Sequence, residues 1–91
     1  MAHLAENTDA LVMRVRRLVG QLQAVERALV AGENCTKTLH LVAGIRGAIS
    51  GLTDELIEAH VRTHVAAPDL APEVRAEGTE ALIAAIRRYT K

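Results

Sequence analysis

Residues 8–30 read TDALVMRVRRLVGQLQAVERALV. Leu11, Val15, Leu18, Leu22, Val25 and Leu29 recur in this stretch at alternating spacings of four and three. That is the period of a helix packed lengthwise against another helix. Asn7 and Thr8 are both suitable N-caps, and Asp9 places a negative charge at the positive end of the helix dipole. Gly32 supplies the C-terminal stop. Outward from this segment, a second helix opens at Asn34–Cys35 and runs to about Val65, ahead of Pro68. Its stripe is Leu39, Val42, Ile45, Ile49, Leu52 and Leu56, with Ile57 beside it. A third helix starts at Pro72, a residue favoured at the first helical position, and carries Val74, Leu82, Ile83 and Ile86 to Tyr89.

The composition agrees with an all-α fold. Of 91 residues, 49% are apolar, yet there is no Trp, no Phe and one Tyr. The core is therefore aliphatic, and little in the chain favours β-structure. This length predicts a single domain over residues 1–91 with a thin core, because a chain so short buries only about two thirds of its unfolded surface. One cysteine excludes an internal disulfide and fits a reduced, cytoplasmic compartment. No apolar run reaches the roughly 20 residues of a membrane span, so neither a leader nor a membrane partner is expected.

Two long apolar stripes and one shorter helix do not close a core within one chain. The economical arrangement is a three-helix protomer, a long antiparallel hairpin plus a short C-terminal helix, pairing with a second copy into a four-helix bundle. Gly44, Gly47 and Gly51 interrupt the second helix. Each costs about 1 kcal/mol relative to Ala, and the shared face of Gly47 and Gly51 predicts a close helix–helix contact.

Four histidines and a cysteine are the soft metal ligands of the chain: His3, Cys35, His40, His60 and His64. His60 and His64 are one helical turn apart, so both imidazoles project from one face at a chelating spacing. Nothing pairs with His40 at such a spacing. Twenty-five residues of helix separate Cys35 from His60, roughly 37 Å at 1.5 Å per residue, so the two do not meet within one continuous helix. In an antiparallel dimer, Cys35 of one copy lies beside His60 and His64 of the other. The fold argument thereby builds a ligand set across the interface.

The formal net charge is zero, which argues against a non-specific DNA packager. Locally, however, Arg14, Arg16 and Arg17 cluster in the first helix, with Arg14 and Arg17 facing outward together and Arg46 a further contributor from the second helix. Such a patch, repeated by symmetry, suits phosphates, although no helix-turn-helix, zinc finger or RNA-binding motif accompanies it. No nucleophile elbow, phosphate loop or paired carboxylates are present, which argues against an enzyme.

The segment from Arg14 through Leu22, RVRRLVGQL, resembles the first-helix signature of the CsoR/RcnR family of bacterial metal- and aldehyde-sensing repressors. The segment from Leu41 through Leu52, LVAGIRGAISGL, resembles its second-helix signature, with Ser50 where Asn is more usual. Cys35, His60 and His64 fall at the family's sensing positions, and His3 matches the amino-terminal ligand of its nickel–cobalt branch. The resemblance spans essentially the whole chain. It implies a dimer that pairs into a tetramer, binds operator double-stranded DNA when apo, and releases it when the sensor site fills. It also implies that Arg14, Arg16 and Arg17 contribute to DNA binding.

One thiolate with two or three imidazoles is a nitrogen-rich set suited to Ni(II) or Co(II), with copper and zinc as chemical alternatives. Copper sensors of the family usually carry a second cysteine where this chain has His64, and its formaldehyde sensors pair the equivalent of Cys35 with an amino-terminal Pro where this chain has Ala2. If Met1 is removed, the Ala2 amine joins the candidate donors. The expectation is a nickel- or cobalt-responsive repressor of metal efflux or resistance genes. The alternatives are a Cu(I)- or formaldehyde-responsive repressor, or a metal-buffering helical oligomer without DNA function.

Overall fold

A computed structural model describes residues 8–90, and α-helix is the only regular secondary structure among them. The helices are α1 (Thr8–Val30), α2 (Cys35–His64) and α3 (Pro72–Tyr89), which bears out the all-α, three-helix reading and its boundaries. His3 and Asn7 lie outside the described residues. The chain forms two units, α1 with α2 as far as Thr53, and α2 from Asp54 onward with α3.

In the first unit the turn between α1 and α2 is closed at both ends. Gly32 adopts φ +66°, the left-handed region that a glycine enters without penalty. Its N–H donates to the Leu29 carbonyl at 3.2 Å, and Glu33 N–H reaches back to the Ala28 carbonyl at 2.9 Å. These two bonds are the pair expected of a Schellman stop. Asn34 then caps α2, its Oδ1 accepting from Thr36 N–H at 2.8 Å. The anticipated stop at Gly32 and the helix start at Asn34–Cys35 are both realised.

The core of this unit consists of Leu11, Leu18, Ala28 and Ile45. The seam of α1 divides into two rows with different fates. Leu11 and Leu18 turn inward with half-buried Val25, whereas Val15, Leu22 and Leu29 remain exposed. Leu18 keeps 9% of its surface accessible, while Leu22 keeps 54%. On α2, Ile45 is buried, but Leu39, Val42 and Ile49 are not. One neighbouring helix covers one flank of a heptad seam, so the other flank stays bare in a single chain.

The glycines of α2 differ from expectation. A methyl group at Gly44 or Gly47 would meet nothing within 4 Å. At Gly51 it would come within 3.2 Å of Nη1 of Arg14, the tip of a side chain and not a helix backbone. Within this unit, then, these residues do not mark a close approach of two helices. Gly51 instead gives the Arg14 guanidinium room to lie against α2.

In the second unit α2 ends with Val65 and Ala66 N–H both donating to the Val61 carbonyl, at 3.1 and 2.7 Å. α3 starts from an extended Ala71 with Pro72 in its first turn, which loses no hydrogen bond because that N–H is an orphan anyway. Thr90 closes α3 by donating its N–H and hydroxyl to the Ile86 carbonyl at 3.0 and 2.9 Å. Gly78 is the buried residue of α3.

Candidate functional site

His60 and His64 emerge from the last two turns of α2, both half-buried, with ring centroids 5.0 Å apart and planes tilted by 48°. The helical repeat alone brings them together. His60 makes a further contact. Its Nε2 lies 2.8 Å from the Gly78 carbonyl oxygen. A carbonyl only accepts, so in the neutral ring Nε2 carries the proton and Nδ1 keeps the lone pair. A histidine whose distal N–H is held by a backbone carbonyl is the usual form of a metal-ligating imidazole.

Cys35 opens α2 in the first unit as an exposed free thiol. An open groove of about 620 Å³ lies at the same end of α2, lined by Asn34, Thr36, Lys37, His40 and Leu41. Among the described residues, no group of three or more His, Cys, Asp or Glu side chains is placed to hold a metal ion within one chain. His60 and His64 supply two nitrogen donors.

The predicted basic residues divide similarly. Arg14, half-buried, and Arg17, exposed, line a cleft of about 110 Å³ together with Leu18, Gln21 and Ala48. Arg16 and Arg46 are exposed and do not line it. The cleft is large enough for an anionic group about the size of a phosphate, and two arginines and a glutamine in its lining are residue types that bind phosphate oxygens. Gln21 was not singled out from sequence, because a lone polar residue on an exposed face carries no signal.

Two more residues of the second unit escaped the sequence reading. Arg75 donates through Nη1 to the Val65 carbonyl and through Nη2 to the Leu70 carbonyl at 3.5 Å, tying down the end of α2 and the connection that follows it. Its cation sits at the negative end of the α2 dipole. Gly78 abuts the His64 backbone, where a methyl group would overlap the carbonyl oxygen and lie 2.8 Å from the carbonyl carbon. A glycine in the interior of α3 was the available hint.

Residues 7–88 match the family model described as metal-sensitive transcriptional repressor. The chain belongs to the CsoR/RcnR family of metal-sensitive transcriptional repressors. This repressor is 42% identical to a Serratia marcescens protein described as an uncharacterized protein in the bioA 5′ region, with 100% of both chains covered. It is 32% identical over 65 residues to a transcriptional repressor RcnR homolog of Escherichia coli, covering 71% of this chain and 72% of that one. Among solved structures, it resembles a glutamate-to-histidine variant of the formaldehyde-responsive regulator FrmR from Salmonella enterica serovar Typhimurium. The TM-score is 0.88 at 36% identity, over 97% of this repressor and 99% of that chain. The family consists of transcriptional regulators and not enzymes. No helix among the described residues is long and apolar enough to cross a membrane.

Proposed function

We propose that the chain is a cytoplasmic repressor that binds operator double-stranded DNA in its apo form and releases it on binding Ni(II) or Co(II), switching on metal efflux or resistance genes. Two copies pair through the bare rows of α1 and α2, and dimers pair into tetramers. Cys35 of one copy and His60 and His64 of the other form the sensor, with His3 as an added ligand. Arg14, Arg16, Arg17 and Arg46 meet the DNA backbone.

The observation that carries this reading is the half-buried His60–His64 pair, 5.0 Å between ring centroids, with one imidazole already oriented by a backbone carbonyl. Imidazole nitrogens with a single thiolate favour Ni(II) and Co(II) over the thiolate-rich coordination preferred by Cu(I). The arginine-lined cleft supports a DNA-binding repressor over a metal buffer. The likeness to a formaldehyde-responsive regulator, together with the exposed Cys35 thiol, favours a second reading in which an aldehyde is the signal.

DNA release titrated in parallel with Ni(II), Co(II), Cu(I), Zn(II) and formaldehyde separates these readings. Release at the lowest free concentration of Ni(II) or Co(II), judged against the availability of each ion, supports the proposal. Release by formaldehyde but by no metal overturns the metal reading in favour of the aldehyde. Failure to bind the promoter adjoining its own gene in a gel shift would instead leave a metal buffer.

A further inference from the structure

The sensor histidines do not stand on α2 alone, because α3 is built against them at the point where it lacks a side chain. Three contacts converge there. The Gly78 carbonyl accepts from His60 Nε2 at 2.8 Å. The bare Cα of Gly78 sits over His64, where a methyl group would overlap the carbonyl oxygen and approach Cβ to 3.0 Å. Three residues earlier on α3, Arg75 grips the Val65 and Leu70 carbonyls and so fixes the start of α3 to the end of α2. Thr79 donates its hydroxyl to the Arg75 carbonyl at 2.9 Å, a bond within the same turns of α3.

Each contact by itself is ordinary packing. Their coincidence on one turn of α3 is not required by the fold, since an interior glycine is the poorest helix former after proline. The absence of a side chain at position 78 serves the approach, and the approach delivers a carbonyl to one particular nitrogen.

We propose that Gly78 and Arg75 are positioning residues of the sensor. Arg75 holds α3 in register, and Gly78 lets its backbone close on α2, so that the His60 proton is kept on Nε2 and Nδ1 is kept open. This rests on the metal-sensing reading for its purpose, but the position of the proton on His60 is a property of the apo protein. Any side chain at position 78 moves the carbonyl away from His60 and frees the ring to exchange tautomers. Loss of an outer partner of this kind lowers metal affinity by about 10- to 100-fold.

The test uses apo protein labelled with ¹⁵N at histidine, at a pH where the rings are neutral, with two-bond ¹⁵N–¹H correlation spectra reporting the tautomer. In the native chain His60 is expected as the Nε2–H form. Gly78→Ala should convert it to a mixture or to the Nδ1–H form and lower Co(II) affinity at least tenfold, with helix content followed by circular dichroism. Arg75→Gln leaves position 78 bare and provides the second variant if Gly78→Ala fails to fold; it should shift the tautomer in the same direction, and Arg75→Lys by less. A native His60 protonated on Nδ1 overturns the proposal, as does an unchanged Nε2–H signal in the folded variants. Failure of the metal-sensing reading is recognised separately, as a native protein that binds neither Ni(II) nor Co(II), while the tautomer still decides the positioning role.

Discussion

Leu22 and Leu18 are four residues apart on one seam, and truncating them should produce two different phenotypes. Leu18, 9% exposed, is part of the hairpin core, so Leu18→Ala should lower the stability of the fold itself by about 2–5 kcal/mol. Leu22 retains 54% of its surface, so Leu22→Ala removes little that a single chain has buried. In the proposed dimer that surface is covered. Full burial of a leucine contributes about 1.5–3 kcal/mol, and covering the remaining half contributes about 1 kcal/mol. A two-fold interface counts the residue twice, giving about 2 kcal/mol, or about 30-fold in the dimer dissociation constant. Sedimentation equilibrium over a range of protein concentrations measures that constant directly, and circular dichroism confirms that the helices survive. An unchanged constant for Leu22→Ala would remove the bare α1 row from the interface, and a native chain that stays monomeric would refute the bundle.

Three further outcomes are expected. Arg17→Ala should weaken operator binding and reduce the magnitude of the log–log salt slope by about 1 for each copy in contact with DNA; fluorescence anisotropy between low and moderate salt checks this, and an unchanged slope would assign Arg17 to solvent. Co(II) bound to the protein should show a thiolate-to-metal charge-transfer band that disappears in Cys35→Ala, and binding should weaken as pH falls because protons compete for the same thiolate and imidazole donors; a full band in the variant excludes Cys35 as a ligand. Finally, Cys35→Ala and the double variant His60→Ala, His64→Ala should each fail to respond to metal alone, yet regain about one site per mixed dimer after unfolding and refolding together; no recovery in mixed dimers verified by mass spectrometry rules out a site shared between chains.

The helices and their ends were legible in the sequence because each boundary has a local cause. Gly32, Asn34 and Pro72 act through their own backbone or nearest neighbours, and each performs the role its residue type suggests. Pairing of His60 with His64 was legible for the same reason, since four residues is a helical repeat. What periodicity did not reveal was which flank of the α1 seam one chain would cover, because Leu18 and Leu22 are equivalent in hydrophobicity and differ only in what lies opposite. The glycines expose the same limit from another side. Gly47 and Gly78 read alike in a sequence, but Gly47 faces open space and Gly78 meets the backbone of another helix. Tertiary neighbours decide between the two, and no local pattern encodes them.

The turn after α1 works as a keyed coupling. Between Val30 and Cys35 only four residues intervene, and the backbone bonds of Gly32 and Glu33 on one side and the Asn34 cap on the other leave them no slack. In an α-helix each residue advances the direction of its side chain by about 100°. Were an added or removed residue taken up by sliding the register of α2, Ile45 would leave the core side and Cys35 would swing to a different bearing in the same motion. Ile45 and the proposed ligand Cys35 share one angular setting on α2, so under that proposal packing and ligand presentation constrain the length of this connection together.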